Sequence, residues 1–370
     1  MDAELKITKK NKNDLELDID KNLEKEINET LKISTNDKEF VVGDKIKKIK
    51  KTNKSIFKQT KKNISDSESS DEEKLKGKKN DEDININYNK KITYIDLFCG
   101  MGSFCYSFNN FGWKCVMSCD INKAAKDNYY HNFKLLPLDD ICNIEPKTID
   151  NYDILCAGFP CQPFSQIGKH LGFDDKRGTM FNQIMKFVKY HKPKIIILEN
   201  VRALISHDKG NTLNKIINDI KKENYNVVYD VLNCSDYGIP QMRKRLFIIA
   251  IKHGLNGKNI AQIFNLDEYK KKKTLSEYLG KKFIKEYAYT IRCGGKKSPI
   301  NDKHNWDGYY VDGIEYRLSL DDCLKLQGFN NYKLLGTEKD KWKLLGNTIP
   351  TIFTEIIGKQ LQKLFFNSDM

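Results

Sequence analysis

The run Ile195-Ile196-Ile197-Leu198, followed at once by Glu199-Asn200-Val201, decides the class of fold. Four consecutive apolar residues, with no polar residue at alternate positions, suit a central strand covered on both faces. Working outward, further apolar runs occur at 93–98, 114–119, 153–157, 226–232 and 246–251, and the central run extends over 194–198. Between them, residues 104–111, 123–132, 181–190 and 212–223 have helical spacing. The alternation predicts an α/β domain: a mainly parallel sheet with helices on both faces. From about Gly254 to Glu315 it lapses into a stretch rich in Lys, Tyr, Gly and Asn. A catalytic domain over 91–253 and 317–370, with a small lobe over 254–316, is the expected organisation.

The first 90 residues have a different composition. They lack Trp, Cys and Pro, and carry 22 lysines against 20 acids. Such a segment buries too little apolar surface to offset its ordering entropy, so it is expected to be a largely disordered tail. After residue 90 there are 42 basic and 30 acidic residues, which gives the folded part a net +12 of the chain's +14. That surplus favours a polyanionic partner such as nucleic acid. All ten cysteines follow residue 90 without paired CxxC spacing, against a zinc site or a secreted disulfide framework. With no apolar run near the roughly 18 residues of a membrane span, the protein is expected to be soluble and intracellular.

Chemistry concentrates where the strands end. In Ala157-Gly158-Phe159-Pro160-Cys161-Gln162-Pro163 one cysteine sits between two prolines just past an apolar strand. The prolines fix two φ angles and remove two donors, which suits a stiff loop presenting a thiol; a buried structural cysteine is the plainer reading. The first strand runs into Asp96-Leu97-Phe98-Cys99-Gly100-Met101-Gly102, a glycine turn that lets backbone amides approach a ligand, although no GxGxxG phosphate fingerprint is present. Asp120 ends the second strand, where it could take a ribose diol or cap the next helix. Glu199 emerges on the same edge as Cys161, as a proton donor or a helix cap. In Gln241-Met242-Arg243-Lys244-Arg245, alternation puts two guanidiniums on one face, either at a ligand or at a solvated edge.

Taken together these segments resemble the ordered motifs of the C5-cytosine DNA methyltransferases of restriction-modification type. They are DLFCGMG at 96–102, AGFPCQPFSQIGK at 157–169, ENV at 199–201, QMRKR at 241–245, RLSLDDCLKLQGF at 317–329 and GNTIP at 346–350. The resemblance covers nearly all of 92–366. It implies an S-adenosylmethionine-dependent, Rossmann-like methyltransferase fold whose inserted lobe reads the target. It makes Cys161 the nucleophile on cytosine carbon 6, Glu199 the partner of ring nitrogen 3, and Arg243 and Arg245 the holders of the cytosine carbonyl and active-site loop. For S-adenosylmethionine it implies Phe98, Gly100, Met101, Gly102, Asp120, Ile121, Asp140, Ile141, Pro160 and Asn347. The helix 350–364 would pack beside the glycine turn. The loop 162–178 would clamp a flipped cytosine, and segments 290–297 and 304–307 would read bases.

Double-stranded DNA is thus the expected partner, with no metal and no membrane, and the enzyme is expected to act as a monomer in the nucleoid, nucleus or a viral factory. Ile121 stands where the family has an aromatic residue. Asp322 and Lys325 replace Glu and Arg, so support for the lobe is expected to be looser. Two rivals remain: a tRNA cytosine-5 methyltransferase of the same family, disfavoured by Pro163-Phe164-Ser165 and the lack of Cys-Phe-Thr, and a catalytically silent DNA-binding relative. Cys161→Ala is expected to abolish methyl transfer to duplex DNA while leaving cofactor binding largely intact. Radiolabelled S-adenosylmethionine measures both, and full activity in the variant would refute the nucleophile.

Overall fold

Strand alternation sorts the apolar residues onto the two faces of one six-stranded sheet. The computed structural model describes residues 91–160, 179–255, 257–294 and 296–366; the tail 1–90, Cys161 and the expected clamp 162–178 lie outside the described residues. Strands β1 (Thr93–Leu97), β2 (Lys114–Cys119), β3 (Ile154–Gly158), β4 (Ile195–Val201), β5 (Tyr225–Asn233) and β7 (Lys244–Lys252) lie in the order β2-β1-β3-β4-β7-β5, with the short β6 (Gln241–Met242) outside this sheet. The neighbours among β1 to β4 pair in parallel, and β7 runs antiparallel to both β4 and β5. The reversal follows from the connection: only residues 234–243 join β5 to β7, too few for the crossover that a parallel pair needs.

Helices α1 (Ser103–Phe108), α2 (Lys123–Phe133), α3 (Thr179–His191) and α4 (Asn211–Lys221) fall where helical spacing predicts them. On one face Ile95, Leu155, Ile196 and Ile248 bury against Ile184 and Phe187 of α3 and Ile216 of α4. On the other, Tyr94, Ile154, Ile195 and Ile249 bury against Phe104 and Phe108 of α1 and against a late helix. The continuous Ile195-Ile196-Ile197-Leu198 run is therefore apolar because both its faces are covered, all four residues being at most 1 % exposed.

Beyond β7 the chain forms α5 (Leu275–Leu279), β8 (Ala288–Tyr289), the hairpin β9 (Gly308–Val311) and β10 (Ile314–Arg317), α6 (Leu320–Leu326), α7 (Glu338–Asn347) and α8 (Thr351–Leu361). The packing redraws the expected lobe. Leu255, Ile263 and Leu266 join the core beneath α8, so the start of 254–316 packs with the sheet. Leu275, Phe283, Trp306 and Tyr309 share one core with Leu318, Leu326, Phe329 and Trp342, which extends the lobe's packing past residue 317. Asp322 also departs from expectation, because it is well tied. It completes a capping box with Ser319, accepts a 2.5 Å bond from Tyr316 and faces Lys281 Nζ at 3.4 Å.

Helix α8 lies against α1, as the resemblance implies. Thr354 Oγ1 donates to the Ser103 carbonyl at 2.9 Å and lies 2.7 Å from Ser107 Oγ, all of it buried. Thr354→Val keeps the shape and removes the hydroxyl, leaving a buried carbonyl short of its donor. The expected cost is about 1–3 kcal/mol, read as a fall of a few degrees in Tm by calorimetry.

Candidate active site

Strands β2 and β3 lie on opposite sides of β1, so the carboxyl ends of β1 and β3 flank a switch point, where open α/β sheets bind ligands. The chain coils there through three left-handed residues at alternate positions: Phe98 (φ 57), Gly100 (φ 54) and Gly102 (φ 82). Phe98 has a Cβ in a region that side chains avoid, a strained conformation of the kind that collects at ligand sites. The two glycines differ. A Cβ on Gly100 would meet nothing within 4 Å, whereas one on Gly102 would fall 2.4 Å from the Phe133 ring and 2.8 Å from Tyr129. Gly100 therefore opens onto the crevice, and Gly102 lets α1 and α2 approach.

Asp120 and Asp140 bring carboxylates to this crevice. Asp120 accepts from the Gly100 amide at 2.9 Å and the Asn122 amide at 2.8 Å, and burial raises its pKa against those bonds. The cap of α2 is Asn122, whose side chain accepts from Ala124 and Ala125, so Asp120 is not the capping residue. Beside it Ile121 is 77 % exposed, an apolar side chain left without cover. Asp140 is half-buried and accepts from the Cys142 amide. Two expected contacts do not present side chains. Met101 is 1 % exposed and lies in the lobe core, with its carbonyl accepting from Tyr332, and Ile141 is 2 % exposed within the sheet core. Only their backbones can face a ligand. Pro160 is exposed, and Asn347, at the end of α7, accepts a 2.8 Å bond from Cys293 Sγ.

An open glycine, the apolar faces of Phe98 and Ile121 and two carboxylates on neighbouring loops fit S-adenosylmethionine. Apolar side chains suit the faces of adenine, and carboxylates accept from a ribose diol and an amino group. Both oxygens of Asp120 retain acceptor capacity beyond the two amides.

The second half of the site lies between β3, β4 and β7. Glu199 pairs in register with Gly158 on β3 and Phe247 on β7. A Cβ on Gly158 would stand 3.4 Å from Glu199 Oε2 and 3.0 Å from Ile349, so the glycine lets Ile349 and the carboxyl pack closely against its backbone. Arg245 Nε lies 3.0 Å from Glu199 Oε1, both side chains being largely buried. Burial raises the Glu199 pKa, while Arg245 and then Arg243 work against it. The neighbouring Asn200 donates to the Phe159 carbonyl at 3.0 Å and so holds the residue from which the chain leads to Cys161.

Arg243 has a different place from its expected one. It is 1 % exposed and its guanidinium donates to the carbonyls of Ile291 (2.9 Å), Gly346 (3.0 Å) and Thr348 (2.7 Å). Its hydrogen-bonding ends are occupied by backbone, so it is not free to hold a cytosine carbonyl. Burial, with Arg245 next, draws its pKa down to about 9, which leaves it charged at neutral pH. Of the expected base readers, Asn305, Trp306 and Asp307 are buried at 5 %, 0 % and 1 %; Asp307 pairs with Arg317 at 3.2 Å and Trp306 donates to the Gly294 carbonyl. They form the lobe's core and cannot reach a groove.

The architecture is that of the S-adenosylmethionine-dependent methyltransferases. It superposes on the methyltransferase EhMeth of Entamoeba histolytica with a TM-score of 0.59, over 74 % of this chain and 99 % of that one, at 18 % identity. Residues 92–313 match the family model described as C-5 cytosine-specific DNA methylase. The chain is 34 % identical over 299 residues to the type II methyltransferase M.MspI of Moraxella sp, covering 74 % of this chain and 71 % of that protein. It is 33 % identical over 295 residues to M.HhaI of Haemophilus parahaemolyticus, covering 70 % and 90 %. The chain belongs to the C5-cytosine-specific DNA methylases. Among the described residues no helix is long and apolar enough to cross a membrane.

Sequence reasoning missed the residues that hold the site's backbone. Besides Asn200 these include Gln241, which donates to the Leu326 carbonyl at 2.7 Å and accepts from the Ile291 amide at 3.1 Å, and Ser103, whose hydroxyl bonds the Ile349 carbonyl. Asn200 and Gln241 stood inside the motifs at 199–201 and 241–245, and Ser103 directly after the one at 96–102, but nothing local marked their amides or hydroxyl as backbone partners. Gly346 completes the scaffold by close approach, for a Cβ there would stand 2.3 Å from the Cys293 nitrogen and 2.5 Å from the Arg292 carbonyl carbon. Alanine normally favours a helix, yet Gly346→Ala is expected to destabilise by about 1–3 kcal/mol through overpacking. It should also lower methyl transfer at least several-fold, as checked by thermal melting and single-turnover kinetics.

Proposed function

We propose that Cys161, Glu199 and Arg245 carry the DNA (cytosine-5) methyl transfer to which family membership assigns this chain. When bound, S-adenosylmethionine supplies an electrophilic methyl group on a sulfonium, held by Phe98, Gly100, Asp120, Ile121, Asp140 and Asn347. The Cys161 thiolate adds to carbon 6 of a cytosine flipped out of the duplex, and electron density moves to carbon 5. Glu199, whose hold on a proton burial strengthens, stabilises the charge growing at ring nitrogen 3. Once carbon 5 is methylated, its proton passes to water, and the electrons left behind re-form the 5,6 double bond as the Cys161–carbon 6 bond breaks, restoring the thiolate and the ring. Arg245 orients the Glu199 carboxyl and limits how far its pKa rises; Arg243 and Asn200 hold the backbone around them.

The observation that carries this reading is the buried Glu199–Arg245 pair, beside the residue whose carbonyl Asn200 fixes just ahead of Cys161. The lobe, from roughly Lys271 onward, is the part that faces the target sequence. The reaction as written needs neither a metal nor a second chain, and it takes place wherever the cell's or virus's DNA lies. Incubation of the protein with S-adenosylmethionine and either duplex DNA or tRNA, followed by bisulfite sequencing, should give 5-methylcytosine in DNA. Transfer to tRNA alone would overturn the reading.

The titration of Glu199 has a definite sign. Its pKa in the fold is raised, so its contribution to stability is complete below the ordinary carboxylate range and is lost as pH rises through the raised value. Transfer that needs the protonated carboxyl fails over the same rise. Arg245→Gln removes the nearest cation that opposes burial, so the alkaline limb of the single-turnover rate is expected to move to higher pH, whatever happens to the maximum rate. A limb that stays in place would show that another group sets it.

A further inference from the structure

We propose that Arg292 is a specificity-determining residue that reads a guanine in the major groove beside the target cytosine, an inference that rests on the DNA methyltransferase reading above. The backbone around it is held on every side. Thr290 Oγ1 donates to the Met242 carbonyl at 2.6 Å, the Ile291 amide donates to Gln241 Oε1 at 3.1 Å, and Arg243 donates to the Ile291 carbonyl. Cys293 Sγ donates to Asn347 Oδ1, and the Gly294 carbonyl accepts from the buried indole of Trp306 at 2.8 Å.

Within this fixed loop Arg292 is exposed, and no acceptor among the described residues takes its guanidinium. Two other basic groups nearby are engaged. Arg317 pairs with Asp307, and Lys296 lies over the Trp342 ring at 3.5 Å and faces Glu338 at 3.3 Å. Arg202, also exposed, lies in a single-turn helix after β4 and lacks such anchoring.

Attraction to phosphate acts over about 10 Å and is served by mobile lysines, so it does not require a loop fixed on both sides. Reading a base edge does, because a planar fork must meet the O6 and N7 of guanine within hydrogen-bond geometry. The anchor points make that placement possible. Arg243, Asn347 and Gln241 tie the loop to the same scaffold as Glu199 and Arg245, so the distance from Arg292 to the reacting base is set by the fold.

The test compares the full chain with Arg292→Lys, which keeps the charge and loses the fork, and with Arg292→Gln, which loses both. Each is incubated with S-adenosylmethionine and duplex DNA randomised around a cytosine, and the products are read by bisulfite sequencing. The parent protein should require guanine at one fixed offset, and both variants should relax that single position by roughly ten- to a hundredfold. A uniform loss over all sequences, with a shallower salt dependence, would identify a phosphate contact and overturn the proposal, as would an unchanged sequence profile. No methylation of DNA by the parent protein would instead overturn the function on which the proposal rests. Arg292 is exposed, so both variants should fold as the parent does.

Discussion

The buried guanidinium of Arg243 spans three carbonyls, those of Ile291, Gly346 and Thr348, which the chain brings from two segments about fifty and a hundred residues further on. Burying a cation is costly unless its donors are met; here oriented peptide dipoles meet both terminal nitrogens, while Nε has no partner among the described residues. The consequence is geometric. The turn that carries Asn347, the loop that carries Arg292 and the strand that carries Arg245 are held to one point. Loss of that point would leave three buried carbonyls short of donors, in the place where the cofactor half and the recognition half of the molecule meet.

Burial also strengthens the hold of two carboxyls on their protons. Glu199 and Asp96 are both pushed upward, Asp96 by desolvation and then by its neighbour Asp120, and they differ in the company they keep. Asp96 sits in the sheet, 1 % exposed, with Oδ2 unpartnered among the described residues. Glu199 is paired directly with Arg245. Burial acts with a neighbouring carboxylate on the one, and against a paired cation on the other.

Much of this was legible in the sequence because it follows from local pattern. The four-residue run Ile195 to Leu198, the helical spacings and the order of the motifs placed every strand of the large sheet and its first four helices. They also placed Asp120 at the end of β2, whereas Glu199, expected just past its strand, lies within β4, which runs on to Val201. The reversed direction of β7 was not legible, since alternation gives a strand's faces but no sense. The places of Arg243 and of 305–307 were misread for one physical reason. A polar side chain in a motif looks available until its partners are known, and these partners, Gly346 and Thr348 for one and Arg317 for another, come from distant segments. Nothing local distinguishes an arginine that binds its own backbone from one that binds a ligand.

Helix α8 and the turn before it have a consequence for how the enzyme comes into being. The hydroxyl of Thr354 reaches the Ser103 carbonyl across 251 residues of chain, and the Ile349 carbonyl takes the Ser103 hydroxyl. Contacts so far apart in sequence form late, because the intervening chain must be ordered first. During synthesis the glycine turn and its strand stand without their cover, and the crevice lacks Asn347, until the ribosome has passed α8. The crevice is thereby complete only once α8 and the turn before it have docked on α1.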